Sequence, residues 1–204
     1  KLSILYFVME HYFSPKQKTP HDVATIMETI GFHTFTFKTD AGVFSKGQFD
    51  KGSLLLVSAI PPQQGKAVLD LGCGWGGVGI VIAKHNPTAT VHLSDVNQRA
   101  LSLARQNAKQ NAVEVTIHQS DIMADIGEQF DTIVTNPPIR AGKQVVYEMI
   151  RQSHGHLVPE GEFYAVVRTK QGAKSYGEEL ERVFGNMEIV ERKSGYKVFK
   201  AVRA

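Results

Sequence analysis

The stretch "KAVLDLGCGWGGVGI" (residues 66–80) constrains the fold of this 204-residue chain more than any other. An apolar, β-rich run ends directly in glycines. A helical pattern begins behind them, with Val78, Val81 and Ile82 on one face until Asn86-Pro87 stops it. A strand feeding a helix through a tight turn is half of a parallel β-α-β unit. The alternation continues: strands at 90–95, 113–121, 130–136 and 161–169, and helices over about 97–111, 142–154 and 173–184. Such spacing predicts parallel strands joined by right-handed crossovers, with helices on both faces. The last segment, "NMEIVERKSGYKVFKAVRA", reads as two strands around a turn at Lys193-Ser194-Gly195, an antiparallel hairpin.

The fold class that follows is α/β: a Rossmann-like, mostly parallel seven-stranded sheet with helices on both faces, a C-terminal antiparallel hairpin and a small N-terminal cap. The cap is expected over residues 1–62 and the core over 63–204. "FHTFTFKTDAGVF" (32–44) alternates Phe35 and Phe37 with polar residues and then turns at Asp40-Ala41-Gly42, suggesting a two-stranded element. A helix near 50–60 follows, and Pro61-Pro62 separates it from the core. The opening "KLSILYFV" is too short to span a bilayer, and Met9 behind it makes residues 1–8 a candidate leader.

Composition sets limits on function. The single cysteine, Cys73, excludes an intramolecular disulfide and a cysteine-cluster zinc site, and fits a reducing cytoplasm. The eight histidines show no metal-ligand spacing, and "HGH" (154–156) falls where a helix should end, so no metal is expected. Residues 140–204 carry 12 Lys/Arg against 8 Asp/Glu, a mildly basic third compatible with a solvated surface or with an anionic partner such as RNA.

Gly72, Gly74 and Gly76 follow the first core strand, where they allow a ligand close to the backbone and to the free amides of the helix behind. Gly72, Gly74 and Gly77 also satisfy G-x-G-x-x-G, with Asp95 where a ribose-binding acid would sit, so a nicotinamide oxidoreductase is a rival reading. Asp70 weighs against it, because a carboxylate beside the loop repels a pyrophosphate and suits a cation. Asp121 ends the third strand. Asp70, Asp95 and Asp121 then share one carboxyl edge, matching a ligand with a cationic amino-acid part, a ribose and an adenine. S-adenosylmethionine is such a ligand.

"LDLGCGWG", "LSDVN", "QSDI" and "TNPPIRAGK", in that order and spacing, resemble the class I S-adenosylmethionine-dependent methyltransferases. "GVFSKGQFDKGSLLL" (42–56), with N-P-P-x-x-x-G, more narrowly resembles the bacterial small-subunit ribosomal RNA guanine-N2 methyltransferases. The resemblance implies methyl transfer to an exocyclic base amine, with ribosomal RNA or the small subunit as partner in the cytoplasm and no membrane association. It implies cofactor contacts from Asp70, Gly72, Gly74, Gly76, Asp95, Asp121, Ile122 and Asn136, and catalysis by Asn136, Pro137 and Pro138. Substrate contacts are expected from Ile139, Arg140, Lys143 and Phe44.

The chemistry of Asn-Pro-Pro supports this. The lone pair of a purine amine is delocalised, so the amine needs its hydrogens accepted while it is held in line with the methyl. Asn136 offers a side-chain carbonyl, and the prolines fix the backbone so that the Pro137 carbonyl, or a neighbour, can serve as a second acceptor. One departure stands out. Ile139 occupies the place where such enzymes usually carry an aromatic ring; Phe44, Phe49 and Trp75 are candidate replacements. The same site could hold a protein glutamine amide, and the same fold could serve as a non-catalytic RNA-binding or assembly module.

Overall fold

The computed structural model describes Pro15, Gln17 and residues 19–204; the candidate leader at 1–8 lies outside the described residues. A hairpin of β1 (Ala24–Ile30) and β2 (His33–Thr39) comes first, followed by α1 (Lys51–Ala59). The alternating part then runs β3 (Ala67–Leu71), α2 (Gly77–His85), β4 (Thr90–Asp95), α3 (Gln98–Gln110), β5 (Thr116–Gln119) and β6 (Phe130–Thr135). It continues with α4 (Lys143–His156), β7 (Leu157–Arg168), α5 (Ala173–Phe184), β8 (Glu188–Lys193) and β9 (Tyr196–Val202).

Seven of these strands form one Rossmann-like sheet in the order β5-β4-β3-β6-β7-β9-β8. Strands β3 to β7 pair in parallel, and β9 runs antiparallel between β7 and β8. A strand in the middle of such a sheet must be apolar on both faces. In β3, Val68 packs into a core shared with α1, α2 and α3, while Leu69 and Leu71 pack into a second core with α4 and α5. Val68 and Leu69 are fully buried, each contributing roughly 1.5–3 kcal/mol of transfer free energy. Burial from both sides thus fixes the strand's position, and with it the height at which the glycines emerge. The turn of the terminal hairpin falls at Ser194-Gly195, both at positive φ (51° and 80°), the geometry a two-residue hairpin needs.

Three expectations change. The cap does contain a two-stranded element, but β2 pairs upstream with β1 through Gly31-Phe32 and not downstream across Asp40-Ala41-Gly42. Asp40 is buried and accepts the backbone N–H groups of Asp22 (2.6 Å) and Ala41 (2.7 Å), closing the open end of the hairpin. Strand β7 begins at Leu157 rather than 161; Pro159-Glu160-Gly161 forms an irregularity inside it, held by backbone bonds between Glu160, Gly161 and Arg203. Strand β5 is shorter than expected, because Val113 N–H still bonds to Ala108 O and finishes α3.

The cap is held to the core through the edge of β2. Asn107 and Asn111, one turn apart on α3, bond to the backbone of Lys38 and Thr36 as a neighbouring strand would. Asn107 also donates to Trp75 O (2.9 Å), so a single buried amide joins the cap, α3 and the glycine loop.

Candidate active site

Strand order reverses at β3, whose neighbours β4 and β6 lead away in opposite directions. Ligands of open α/β sheets bind outside the strand carboxyl ends at such a point. A cleft of about 1140 Å³, open to solvent, lies there. Its walls include Asp70, Gly72 and Gly74 from the first loop, Asp95, Asp121 and Ile122 from the next two, and Asn136 and Pro138 from the end of β6.

On the β3–β5 side the loop is held by acids. Asp95 Oδ2 accepts the Gly74 N–H and Oδ1 the Asn97 N–H, both at 2.8 Å. Burial pushes its carboxyl above the ordinary carboxylate range. Asp70 is 2% exposed, and its Oδ2 accepts the Gly79 N–H (2.8 Å), capping α2 from the strand below. Burial, with Asp95 nearby adding to it, pushes the Asp70 carboxyl up to about 7, partly offset by that amide. A cation placed beside Asp70 relieves this penalty. Gly74 has φ +56°, and a Cβ added there would meet nothing within 4 Å, so its backbone is bare toward the cleft. A bare backbone cradle beside buried acids fits a ligand with a cationic amino-acid part.

Asp121 is exposed on the cleft rim, and Ile122 follows it at φ +55°. A β-branched residue in the left-handed region costs about 1–3 kcal/mol. The turn is fastened by the Ala124 N–H on Asp121 O and by the Met123 N–H on Gln152 Oε1 (3.0 Å). Gly76 does not reach the cleft. It caps α2 at φ +87°, where a Cβ would stand 2.9 Å from Ile80 Cδ1 and 3.2 Å from Ala104 Cβ, so it serves helix packing. Gly77 lines the cleft in its place.

On the β6 side, Asn136 Nδ2 donates to Asp50 Oδ2 and to Ser53 Oγ, both at 3.0 Å. A carboxylate only accepts, so the amide cannot be flipped. Asn136 Oδ1 is then left without a protein donor among the described residues, on the wall of the cleft. Asp50 is itself fixed: it N-caps α1, accepting the Ser53 N–H at 2.9 Å. Neither Asp50 nor Ser53 stands out as a site residue from the sequence alone. Their signal was the D-x-x-S spacing before an apolar helix.

The prolines behave differently from expectation. Pro137 is buried and its carbonyl already accepts the Ile139 N–H (2.8 Å); the Pro138 carbonyl accepts the Ala141 N–H (2.8 Å). Both carbonyls are engaged in the 3-10 turn Ile139–Ala141, so an acceptor role for either must use its second lone pair. Ile139 packs against the second core, and Arg140 and Lys143 are exposed; none of the three lines the cleft. Among the candidate rings, Phe49 and Trp75 are buried against Phe37, at 5.6 and 4.9 Å between centroids. Trp75 Nε1 donates to Phe44 O (2.9 Å), and Phe44 itself stands half-buried on the cleft wall.

The histidines also need a correction. His92, His118 and Glu128 do come together, with ligand atoms within 4.8 Å of one another, on strands β4 and β5 and the loop before β6. The two rings share a hydrogen bond (His92 Nδ1 to His118 Nε2, 2.8 Å) and stack at 5.1 Å, and none of the three residues lines the cleft. No described helix is long and apolar enough to cross a membrane.

Comparison with known proteins agrees with this fold. The family profile described as methyltransferase small domain matches residues 34–200. YbxB, an uncharacterised protein of Bacillus subtilis, is 41% identical over 94% of this chain and 98% of its own length. The ribosomal RNA small subunit methyltransferase C of Vibrio cholerae is 32% identical over 83% of this chain and 50% of its own. The chain therefore spans about half the length of the relatives that bear an enzyme name. Among solved structures, the Thermus thermophilus 16S rRNA N2 G1207 methyltransferase, in complex with AdoMet and guanosine, superposes with a TM-score of 0.81. It is 28% identical, over 91% of this chain and 52% of its own. The chain belongs to the methyltransferase small domain family.

Proposed function

We propose that this protein transfers a methyl group from S-adenosylmethionine to the exocyclic N2 amine of a guanine in small-subunit ribosomal RNA, in the cytoplasm. One observation carries the reading: Asn136 is clamped by Asp50 and Ser53 so that its carbonyl, and not its amide nitrogen, is left for the cleft that Asp70 and Asp95 share. The names of the relatives support small-subunit ribosomal RNA as the substrate, and the guanosine complex of the structural neighbour supports the choice of base.

When bound, S-adenosylmethionine supplies an electrophilic sulfonium methyl; the rest falls to residues of this chain. Asp70 holds the cationic amino group, Asp95 the ribose hydroxyls, and Asp121 with Ile122 the adenine. Asn136 Oδ1 accepts one hydrogen of the target amine and turns its lone pair toward the methyl. Donation from Asn136 Nδ2 to a carboxylate polarises the amide and makes Oδ1 a stronger acceptor. No strong base is needed: as the C–N bond would form, the S–CH3 bond would break and leave the neutral thioether, and the amine proton, acidic by then, would leave to water. Phe44 is the ring placed to cover the base face that Ile139 leaves bare.

The test is nucleoside analysis of small-subunit ribosomal RNA after incubation with the protein and labelled S-adenosylmethionine. The expected product is N2-methylguanosine. Label in ribosomal protein and none in RNA would favour the glutamine reading instead.

A further inference from the structure

Several cations of this molecule have carboxylate partners: Lys66 and Lys200 with Glu162, Arg151 and Arg182 with Glu179. At the carboxyl rim beyond the cleft, Lys51, Arg168, Lys170, Arg192, Lys193 and Lys197 form no ion pair among the described residues. All but Lys197 are exposed.

Two of them are held against each other. Arg192 and Lys197 are direct partners across the antiparallel β8–β9 ladder, and Lys193 lies opposite Tyr196. Like charges facing each other across strands destabilise a hairpin. The neighbouring acid, Glu191, accepts its own successor's N–H (Arg192, 2.8 Å) and forms no ion pair with either cation.

This rim is also continuous with the acceptor site. Gly52 lies two residues after Asp50, and a Cβ on it would sit 2.8 Å from Tyr196 Cε1, so its missing side chain lets that ring pack on the start of α1. The Tyr196 ring carries Arg168 5.9 Å from its centroid. From Asn136 the path runs through Asp50, Gly52 and Tyr196 to Arg168 and the hairpin turn.

We infer that this rim is a track for the phosphate backbone of the RNA substrate, with the β8–β9 turn as its far anchor. The inference rests on RNA being the substrate. Phosphates neutralise the repulsion between Arg192 and Lys197, and the release of counterions from RNA gives binding a steep salt dependence.

The experiment compares the unsubstituted protein with the triple variant Arg192→Ala, Lys193→Ala, Lys197→Ala. Binding to a small-subunit ribosomal RNA transcript is followed by fluorescence anisotropy at several salt concentrations. Each lost phosphate contact lowers the slope of log K against log salt by about one, so the variant should lose about two to three. Its KM for RNA should rise about tenfold or more. S-adenosylmethionine binding should be unchanged. An unchanged slope overturns the track.

A second variant, Lys197→Glu, creates a cross-strand ion pair with Arg192 and separates binding from folding. It should raise Tm while weakening RNA binding about tenfold; RNA affinity preserved with a raised Tm overturns the inference. Failure of the unsubstituted protein to bind or methylate RNA at all is a separate result, which counts against RNA as the substrate.

Discussion

The two sides of the cleft are built on different principles. On the β3–β5 side the acids hold the glycine loop and its helix through contacts local to a β-α-β unit: Gly74 bonds to Asp95, 21 residues away, and Gly79 to Asp70, nine away. On the β6 side the decisive contacts cross the fold, from Asn136 to Asp50 and Ser53, 86 and 83 residues upstream. The acids and glycines are set mainly by the sheet, whereas the clamp on Asn136 needs α1 in place. The chain can therefore lose acceptor chemistry while keeping a site for the cofactor.

Breaking the acceptor side should have the largest effect. Asn136→Ala removes the fixed acceptor and should lower kcat by about 10²–10³, measured with labelled cofactor, while S-adenosylmethionine affinity changes less than about twofold. Next is Gly79→Ala on the donor side. Its Cβ would stand 2.1 Å from Leu93 Cδ2 and 3.1 Å from Asp70 Cβ, inside a filled core. Overpacking of this kind should cost about 1–3 kcal/mol in denaturant titration. Asp50→Asn sharpens the comparison, because the side chain can still cap α1 but no longer forces the Asn136 amide into one orientation. A fall of about tenfold in kcat with little loss of stability would mark Asp50 as a positioning residue.

The donor side has a pH signature. In the unfolded chain Asp70 loses its proton near 3.9, and in the folded protein near 7. Between those values the native state holds a proton that the unfolded state has released, so stability falls as pH rises through the window. Asp70→Asn should flatten that slope in denaturation midpoints measured from pH 4.5 to 8. Cofactor affinity should rise with pH over the same range in the unsubstituted protein, because the ionised carboxylate is the form that holds a cation. The smallest effect concerns Cys73, whose thiol is pushed well up by burial. Its alkylation at neutral pH should be slow, and slower again with cofactor bound, since Cys73 lines the cleft.

The same contrast explains what could be read from the sequence. The strand–glycine–helix turn and the acids Asp70, Asp95 and Asp121 announce themselves through short-range spacing, and all three acids do line one cleft. Gly76 packs against Ile80 and Ala104 while Gly74 faces the cleft, and glycines of these two kinds look alike in a string of letters. Ile139 was expected at the base because it follows the prolines, but a 3-10 turn carries its side chain into the second core. Asp50 and Ser53 read as an ordinary helix cap, and nothing local in them points to Asn136. The β1–β2 hairpin was misjudged for a related reason: "ATIMETI" alternates as a strand should, but Asp40-Ala41-Gly42 is the louder turn signal.

The most direct test of the account is a crystal structure of the protein with S-adenosylhomocysteine and guanosine bound. The account predicts the guanine N2 atom within about 3.2 Å of Asn136 Oδ1, with Asn136 Nδ2 still on Asp50. A guanine bound elsewhere, or an Asn136 side chain turned away from the base, would contradict it.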